Sequence, residues 1–251
     1  MSEKRMPSAG QGPTRPKIQL CCPRSRLLDG FAKPDLDSIV GAATESQFPA
    51  NSTITSQDAR ADQLFLLVKG AARYCFVTEG GRKVLLLWLR PGDVFGSRAM
   101  LAEPSTYLVG TEVIKDSSAL VWSREVIRGL GARYPLLMDN ALSIASDYLG
   151  WFLAAHLALI TRNARERLAE VLIGLADCIG HKTPNGVELE ITNEELSNTA
   201  HVTLFTTSRV MSEWQRQGVL SKRRGRLVLR SPERLLTAAH DESLVTEDQP
   251  A

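Results

Sequence analysis

The feature that most constrains the fold of this chain is a helical segment whose apolar residues recur at heptad spacing. Seven positions follow that spacing, and all but one are apolar: Met138, Leu142, Ala145, Leu149, Phe152, His156 and Leu159. A seam of about three heptads favours packing against a partner helix, so we expect a homodimer joined along these residues. The alternative is a helix that packs only on its own domain.

The segment before this helix has the pattern of an antiparallel roll or barrel. In residues 48–122, short apolar runs alternate with turns rich in Gly, Pro, Asp and Asn. Strands are predicted at 64–68, 73–77 and 84–89, with turns at 69–70, 79–81 and 90–93. Short strands at this spacing are typical of a roll or barrel. A short helix is predicted ahead of it, through Phe31, Leu36, Ile39 and Val40.

A second helix and a short strand are predicted directly after the long helix. Asn163 and Glu166 have the spacing of a capping box, and the helix that they begin ends near Gly180. Residues 181–186 contain the turn signal Thr-Pro-Asn-Gly, so this stretch is predicted as a loop. It leads into a strand predicted at 187–191.

The next segment predicts a helix-turn-helix. Thr192 and Glu195 repeat the capping-box spacing ahead of a short helix, and a tight turn follows at residues 200–202. Thr203 then caps a second helix, predicted at 204–217. In units of this kind the second helix enters the major groove of DNA.

A cation-rich hairpin is predicted immediately after that helix. Residues 218–229 have the pattern of a hairpin whose tip carries Lys222, Arg223, Arg224 and Arg226. The whole chain has a net charge of only +2, which by itself argues against a nucleic-acid partner. Residues 207–234, however, contain eight Lys or Arg and two Glu, so this segment carries +6 and the rest of the chain −4. A basic wing beside a helix-turn-helix is the arrangement that phosphate neutralisation needs.

Four stretches together resemble the Crp/Fnr family of bacterial transcription regulators. They are LFLLVKGAARYCFV (64–77), VLLLWLRPGDVFG (84–96), NARERLAEVLIGLAD (163–177) and TNEELSNTAHVTLFTTSRVMSEWQRQGVL (192–220). The resemblance, which covers residues 27–236, implies an α+β chain with a double-stranded β-roll, a long dimerisation helix and a C-terminal winged helix-turn-helix. Gly70 and Gly92 are then the glycines that shape turns of the roll. The implied division is a flexible tail at 1–24, a sensor domain at 25–134, the dimerisation helix at 135–161, a DNA-binding domain at 162–236 and a second tail at 237–251.

The residues of the family's cyclic-nucleotide site are not present in this sequence. Members that bind cAMP place a glutamate after the Phe-Gly of the phosphate cassette and an arginine further on, whereas this chain has Ser97 and then Tyr107 or, with a shift, Ser105. Arg98 is the only nearby cation, and the base-contacting positions of the dimer helix fall on Phe152 and Leu153. A phosphate needs a fixed cation or several N–H donors, so cAMP is not expected to bind. The candidate effector pocket consists of Ser97, Arg98, Tyr107, Phe152 and Leu153.

This sequence offers few candidate ligands for the iron–sulfur cluster or the haem that the resemblance to the family brings into consideration. Cys21 and Cys22 are adjacent rather than spaced, and Cys75 and Cys178 lie far away, so an iron–sulfur cluster is not expected and no metal site is predicted. Cys75 and Cys178 fit small core positions. Thiol redox at Cys21-Cys22 and haem ligation by His156 stay open as alternatives, and the effector is unidentified.

The resemblance implies DNA contacts from the second helix and the wing. They are Thr203, Leu204, Phe205, Thr206, Ser208, Arg209, Lys222, Arg223, Arg224 and Arg226. Leu204 and Phe205 stand where the cAMP-binding members have a base-reading Arg and Glu, while Arg209 matches an arginine that reads guanine. We therefore expect a palindromic operator with an altered half-site. The expected partners are double-stranded DNA, a second copy of the chain and RNA polymerase.

Two other classes of function compete with this interpretation. An enzyme of the roll type would need histidines and carboxylates on its strands, and no histidine precedes His156, so no enzymatic activity is expected. A subunit that binds only a partner protein would not need the basic wing.

The longest nearly uncharged apolar stretch, 149–160, is too short to span a bilayer, and the N-terminus has no apolar core of a signal peptide. We expect a cytoplasmic protein without a membrane partner.

Overall fold

The computed structural model describes residues 27–223 and 226–240, and its first part is an antiparallel β-roll. The elements of this part are α1 (Lys33–Gly41), β1 (Thr44–Phe48), β2 (Thr53–Thr55), β3 (Gln63–Val77), β4 (Lys83–Leu89), β5 (Val94–Phe95) and β6 (Gly110–Ser123). The strand order is β1-β6-β3-β4, with β2 paired to β6 and β5 paired to β3. The predicted roll and the short helix before it are confirmed.

One strand prediction in the roll is wrong. The stretches 64–68 and 73–77 are not separated by a turn at Lys69-Gly70, because both belong to β3, which is 15 residues long. The pairing of β3 with β6 shifts register around Lys69, so the irregularity is a bulge within one strand. Gly70 adopts φ +93° there, and a Cβ atom at this position would meet the backbone carbonyl of Asp116 at 2.6 Å. The glycine therefore allows two strands to approach closely, and sequence alone cannot distinguish this role from a turn.

Three helices connect the roll to the C-terminal part. They are α2 (Arg124–Arg133), α3 (Pro135–Thr161) and α4 (Ala164–Ile179). Pro135 occupies the first turn of α3, where its missing N–H costs nothing. The predicted capping box of α4 is confirmed, since Asn163 and Glu166 bond each other's backbone N–H groups.

The C-terminal part is a winged helix-turn-helix with a four-stranded sheet. Its elements are β7 (His181–Thr183), β8 (Gly186–Leu189), α5 (Asn193–Ala200), α6 (Leu204–Arg216), β9 (Leu220–Arg223), β10 (Arg226–Leu229) and α7 (Pro232–His240). The sheet order is β7-β8-β10-β9. The first half of the predicted loop 181–186 is strand β7 instead, because the turn signal there closes a hairpin onto β8.

The ends of the chain bear on the two predicted tails. The tail at 1–24 lies outside the described residues, as do residues 241–251. The predicted C-terminal tail begins at residue 237, yet α7 extends to His240. The physical reason is burial, because Leu235 and Ala239 are four residues apart on one face of α7 and lie in the same core as α4.

The roll and the winged head share one apolar core in this structure. Cys75, Leu85 and Trp88 of the roll belong to the cluster that contains Trp214 and the buried face of α4. Arg73 Nη1 also reaches Glu195 Oε1 of the head at 3.1 Å. Cys75 is 4% exposed, which confirms it as a small core residue.

Candidate nucleic-acid interface

The helix-turn-helix is held by caps at both of its helices. The Thr192 hydroxyl oxygen accepts from the N–H of Glu195, and the Glu195 carboxylate accepts from the N–H of Thr192. The predicted capping box is therefore confirmed. His201 ends α5 in the left-handed conformation, with φ 51° and ψ 48°. Thr203 then accepts from the N–H of Thr206 at 3.1 Å and caps α6. These contacts fix the start of α6 relative to α5.

Helix α6 buries one face and presents the other to solvent. Trp214 is fully buried, and Val210 and Met211 are 2% and 3% exposed. On the opposite face Phe205 is 78% exposed and Leu204 is 52% exposed, while Arg209 is also exposed. Two large apolar side chains at the exposed start of a helix gain nothing from folding, so they are free to contact a partner.

Polar side chains join the start of α5, α6 and the wing. Asn193 Nδ2 donates to Ser208 Oγ at 3.0 Å, and Lys222 Nζ donates to Asn193 Oδ1 at 2.7 Å. Sequence reasoning did not single out Asn193, which has no motif of its own. Through this side chain, a wing cation and a residue of the exposed helix are held in a fixed relation.

The other predicted wing cations differ in their partners. Arg226 reaches Glu188 at 3.1 Å and Glu190 at 3.6 Å, so part of its charge is already matched. The backbone of Arg223 lies at the end of β9, and Arg224 falls outside the described residues.

A largely buried ion pair ties α6 to α4 behind the exposed face. Arg165 Nη1 lies 2.6 Å from Glu213 Oε2, and its Nη2 atom donates to Oε1 at 2.8 Å. Each side chain is only 12% exposed. The hydrogen bonds from Arg165 hold the pKa of the Glu213 carboxyl below its usual value. Such a bidentate pair fixes the position of α6 relative to α4, on the side away from the exposed face.

Helix α3 leaves its heptad seam exposed. All seven predicted seam residues are exposed in the single chain, and Leu142 and Leu149 are the most exposed at 68% and 70%. Leu153 and Ile160 are also exposed, at 60% and 70%, and do not pack on the roll. The inward face consists of Leu137, Ile144, Tyr148 and Trp151, which pack against the roll.

The same helix is long and apolar enough, by length and composition, to cross a membrane. The helix has 27 residues, more than twice the length of the apolar stretch 149–160. One face of α3 is nevertheless occupied, because Asn140 donates to the Leu27 carbonyl and the Tyr148 hydroxyl donates to the Val94 carbonyl.

The phosphate cassette of the roll is closed by Tyr107. This side chain is 9% exposed and packs with Phe65 and Phe95, whose rings stack with centroids 4.8 Å apart. Its hydroxyl donates to the Gln63 carbonyl and accepts from the Gln63 N–H. Gly96, in the left-handed conformation, lies so near that a Cβ atom would come within 3.2 Å of the Tyr107 ring. Tyr107 therefore acts as a core residue.

The cassette offers no fixed cation to a phosphate. Ser97 is exposed and Arg98 is half-exposed on a short 3-10 turn, and neither belongs to the cluster around Tyr107. Burial raises the pKa of Asp93, at the preceding turn, to about 7. A cyclic phosphate needs a fixed cation or several N–H donors, so the absence of cAMP binding at this place stays a prediction.

Among residues 27–223 and 226–240, no three His, Cys, Asp or Glu side chains converge on an arrangement that could hold a metal ion. Burial and the neighbouring Glu112 raise the pKa of the Cys75 thiol to about 11. A thiol of that kind is a poor nucleophile at neutral pH. Cys21 and Cys22 lie outside the described residues, and nothing is said of the Cys178 side chain.

Comparison with known proteins identifies both parts of the chain. A model of the cyclic nucleotide-binding domain matches residues 45–134, and a model of the Crp-like helix-turn-helix domain matches residues 166–238. The chain is 26% identical to the nitrogen fixation regulation protein FixK of Azorhizobium caulinodans over 212 residues, which are 82% of each protein. It is 22% identical to the cAMP-activated global transcriptional regulator CRP of Escherichia coli O157:H7 over 198 residues, which are 75% of this chain and 90% of that one.

Solved structures with the same fold include FixK2 from Bradyrhizobium japonicum. That likeness has a TM-score of 0.67 at 24% identity and covers 78% of this chain and 96% of FixK2. The c-di-GMP responsive regulator CLP of Xanthomonas campestris has a TM-score of 0.70 at 16% identity, and the match covers 80% of this chain and all of CLP. At these identities the similarity establishes the fold alone.

Proposed function

The chain belongs to the Crp/Fnr family of transcription regulators, and on that premise we propose that it acts as a homodimer on a palindromic DNA site. The observation that carries the proposal is the exposed face of α6, where Leu204, Phe205 and Arg209 stand free beside a basic wing. In a winged helix-turn-helix such a face enters the major groove.

The proposed contacts fall into two classes. Arg209 reads a guanine, and Leu204 and Phe205 contact thymine methyl groups, because apolar side chains at these positions cannot form the hydrogen bonds of an Arg and a Glu. Thr203, Thr206 and Ser208 contact phosphates or base edges, and the wing cations Lys222, Arg223, Arg224 and Arg226 bind phosphates.

Dimerisation along α3 is the second part of the proposal. The exposed seam from Met138 to Leu159 forms an apolar stripe on a helix whose opposite face is already packed on the roll. Pairing with a second copy would remove this stripe from water and place two DNA-binding heads side by side. We propose a sensor domain at 25–134, a dimerisation helix at 135–161 and a DNA-binding domain at 162–236. We further propose a cytoplasmic location and contact with RNA polymerase.

A second candidate, haem-based control, is favoured by one observation: His156 lies exposed on the seam of α3. Its ring would serve as an axial ligand. The absorption spectrum of the purified protein decides this case, because a Soret band would establish haem and its absence would exclude haem as the resident group.

The test of DNA binding is a titration at several salt concentrations. We expect the logarithm of the DNA-binding constant to fall linearly with the logarithm of salt concentration, since phosphate contacts release counterions. The dimer is tested by sedimentation of the intact chain and of Leu149→Glu, which places a charge in the seam. A dimer that persists unchanged in this variant would contradict the proposed interface.

A further inference from the structure

A cavity of about 400 Å³ lies where the roll, the long helix and the helix-turn-helix meet. Its apolar wall comes from Leu85 and Leu86 of β4 and from Trp151, Phe152 and Leu159 of α3. The remaining wall comes from α4 and from the end of α5. Of the five residues predicted for an effector pocket, only Phe152 lines it, so this cavity is separate from the cassette at Ser97 and Tyr107.

The polar part of the wall carries an unmatched positive charge. Among the residues that the structure describes, Arg167 donates to two carbonyl oxygens, of Leu159 at 3.4 Å and of His201 at 3.3 Å, and its buried Nε atom has no hydrogen-bond partner. Within the described part of the chain, no carboxylate lies within ion-pair distance of Arg167. Glu170 also lines the cavity: its Oε1 atom is paired with Arg162, which matches its charge, while its buried Oε2 atom has no hydrogen-bond partner in that same part of the chain.

The ring of His201 adds no positive charge to this wall. Its desolvation, together with the positive charges of Arg167 and Arg82, lowers the pKa of His201 below its usual value. The cavity thus combines an extended apolar surface with a half-buried guanidinium that lacks a counterion. Its volume lies within the range of small-molecule sites, roughly 300–1,000 Å³.

We propose that this cavity is the effector site of the regulator and that its ligand is a small apolar carboxylate anion held by Arg167. A planar guanidinium matches a carboxylate through two parallel hydrogen bonds, and the apolar walls take the body of the ligand. The inference rests on the proposed function, because an effector site has meaning only in a regulator.

The position of the cavity explains how a bound ligand would change DNA binding. Arg167 holds the carbonyl of His201, which lies in the turn between α5 and α6, two residues before the cap of α6. A ligand that takes hydrogen bonds from Arg167 weakens that hold and changes the position of the turn. The same ligand contacts Phe152 and His156 of the α3 seam, so it links the dimer helix to the DNA-binding head.

The competing occupant of the cavity is the second copy of the chain. Phe152, His156 and Leu159 belong to both the seam and the cavity wall, so a partner's side chain could enter from α3. The unmatched charge of Arg167 favours an anion over an apolar side chain, because a guanidinium enclosed by apolar groups alone would remain without a counterion.

The test uses a matched pair of probes, 2-naphthoate and its neutral analogue 2-naphthamide, with the intact protein in isothermal titration. We expect naphthoate to saturate at one molecule per chain and naphthamide to bind at least tenfold more weakly. In Arg167→Met the two affinities become equal, whereas Arg167→Lys retains part of the preference. Arg128→Met, which removes an exposed charge on α2, serves as the matched control and leaves both affinities unchanged.

A second variant keeps the test independent of charge. Ala155→Leu fills the cavity from α3 and is expected to abolish binding of both probes, while its thermal melting shows that the chain is folded. Absence of saturable naphthoate binding would overturn the inference, and so would equal binding to Arg167→Met. If Ala155→Leu instead changes only the dimer–monomer equilibrium, the partner helix occupies the cavity and the inference is wrong.

The same preparations separate this inference from the proposed function. A salt-dependent gel shift on the wild-type protein without naphthoate measures DNA binding alone. If DNA binding is present and naphthoate does not bind, only the effector site is refuted. If DNA binding is absent, the proposed function fails whatever the probes show.

Discussion

The phosphate cassette of the roll and the outer face of α6 both carry an apolar or aromatic residue where cAMP-binding relatives have a polar one, but the structural consequence differs between the two places. By resemblance, each is a place where polar residues of cAMP-binding relatives contact a ligand or a base. Tyr107 points inward, is 9% exposed and closes its site. Phe205 points outward and is 78% exposed, so the surface stays open. The direction of the side chain therefore decides whether such a change removes a site or alters its specificity.

The largest expected effect separates the two faces of α6. Trp214→Ala is expected to lower the free energy of unfolding by about 3–5 kcal/mol, because a fully buried indole leaves a cavity. Phe205→Ala on the opposite face is expected to change it by less than about 0.5 kcal/mol. Urea denaturation of both variants measures this, and equal losses would show that Phe205 is a core residue.

The next effect concerns the brace behind α6. Arg165→Met is expected to cost about 3 kcal/mol, since it leaves the Glu213 carboxylate without its partner. Because the pKa of Glu213 is depressed in the folded state, its contribution to stability is present above the ordinary pKa of glutamate. That contribution is lost as the pH falls through the folded value. Glu213→Gln should remove this part of the acid dependence, and an unchanged acid profile in that variant would contradict the assignment.

DNA affinity tests the outward face directly. Arg209→Ala is expected to cost about 1–3 kcal/mol of binding and to relax one base position in each half-site. Its thermal melting should match that of the wild type, since Arg209 is exposed. A binding-site selection with this variant that returns the unchanged motif would show that Arg209 does not read a base.

A smaller effect tests the inward substitution. Tyr107→Phe is expected to cost about 1 kcal/mol of stability, because its hydroxyl bonds both backbone groups of Gln63. Addition of cAMP should leave the melting temperature of wild type and variant unchanged. An upward shift with cAMP would mean that the cassette binds the nucleotide in spite of Tyr107.

The smallest effect distinguishes the wing cations. For Lys222→Ala, the plot of the logarithm of the DNA-binding constant against the logarithm of salt concentration should become less steep by about 1. This is the change expected for the loss of one phosphate contact. Arg226→Ala should reduce the steepness less, because Glu188 and Glu190 already match part of that charge. Salt titrations of both variants on one DNA fragment provide the comparison, and a larger effect for Arg226 would reverse the assignment.

Much of the fold follows from local sequence signals. The capping pairs Asn163–Glu166 and Thr192–Glu195 place helix starts to the residue, because each pair satisfies specific backbone N–H groups. The bulge at Gly70 and the burial of α7 beyond residue 236 were not predictable in this way. Both depend on contacts with residues distant in the chain, Asp116 in one case and the α4 core in the other.

The same limit applies to the sites. The exposed face of α6 could be predicted because amphipathic spacing separates Trp214 from Phe205 on a single helix. Arg167, His201 and Leu85 line one cavity although they lie in three separate elements, and no motif connects them. The role of Asn193 could not be predicted for the same reason, since its hydrogen bonds to Lys222 and Ser208 form only in the folded chain.

The most direct test of the account is a binding-site selection with the full-length protein, followed by titration of the enriched DNA with and without cAMP. The account predicts a palindrome of two half-sites, salt-dependent affinity and no change on addition of cAMP. Failure to enrich any site, or binding that appears only when cAMP is added, would contradict it.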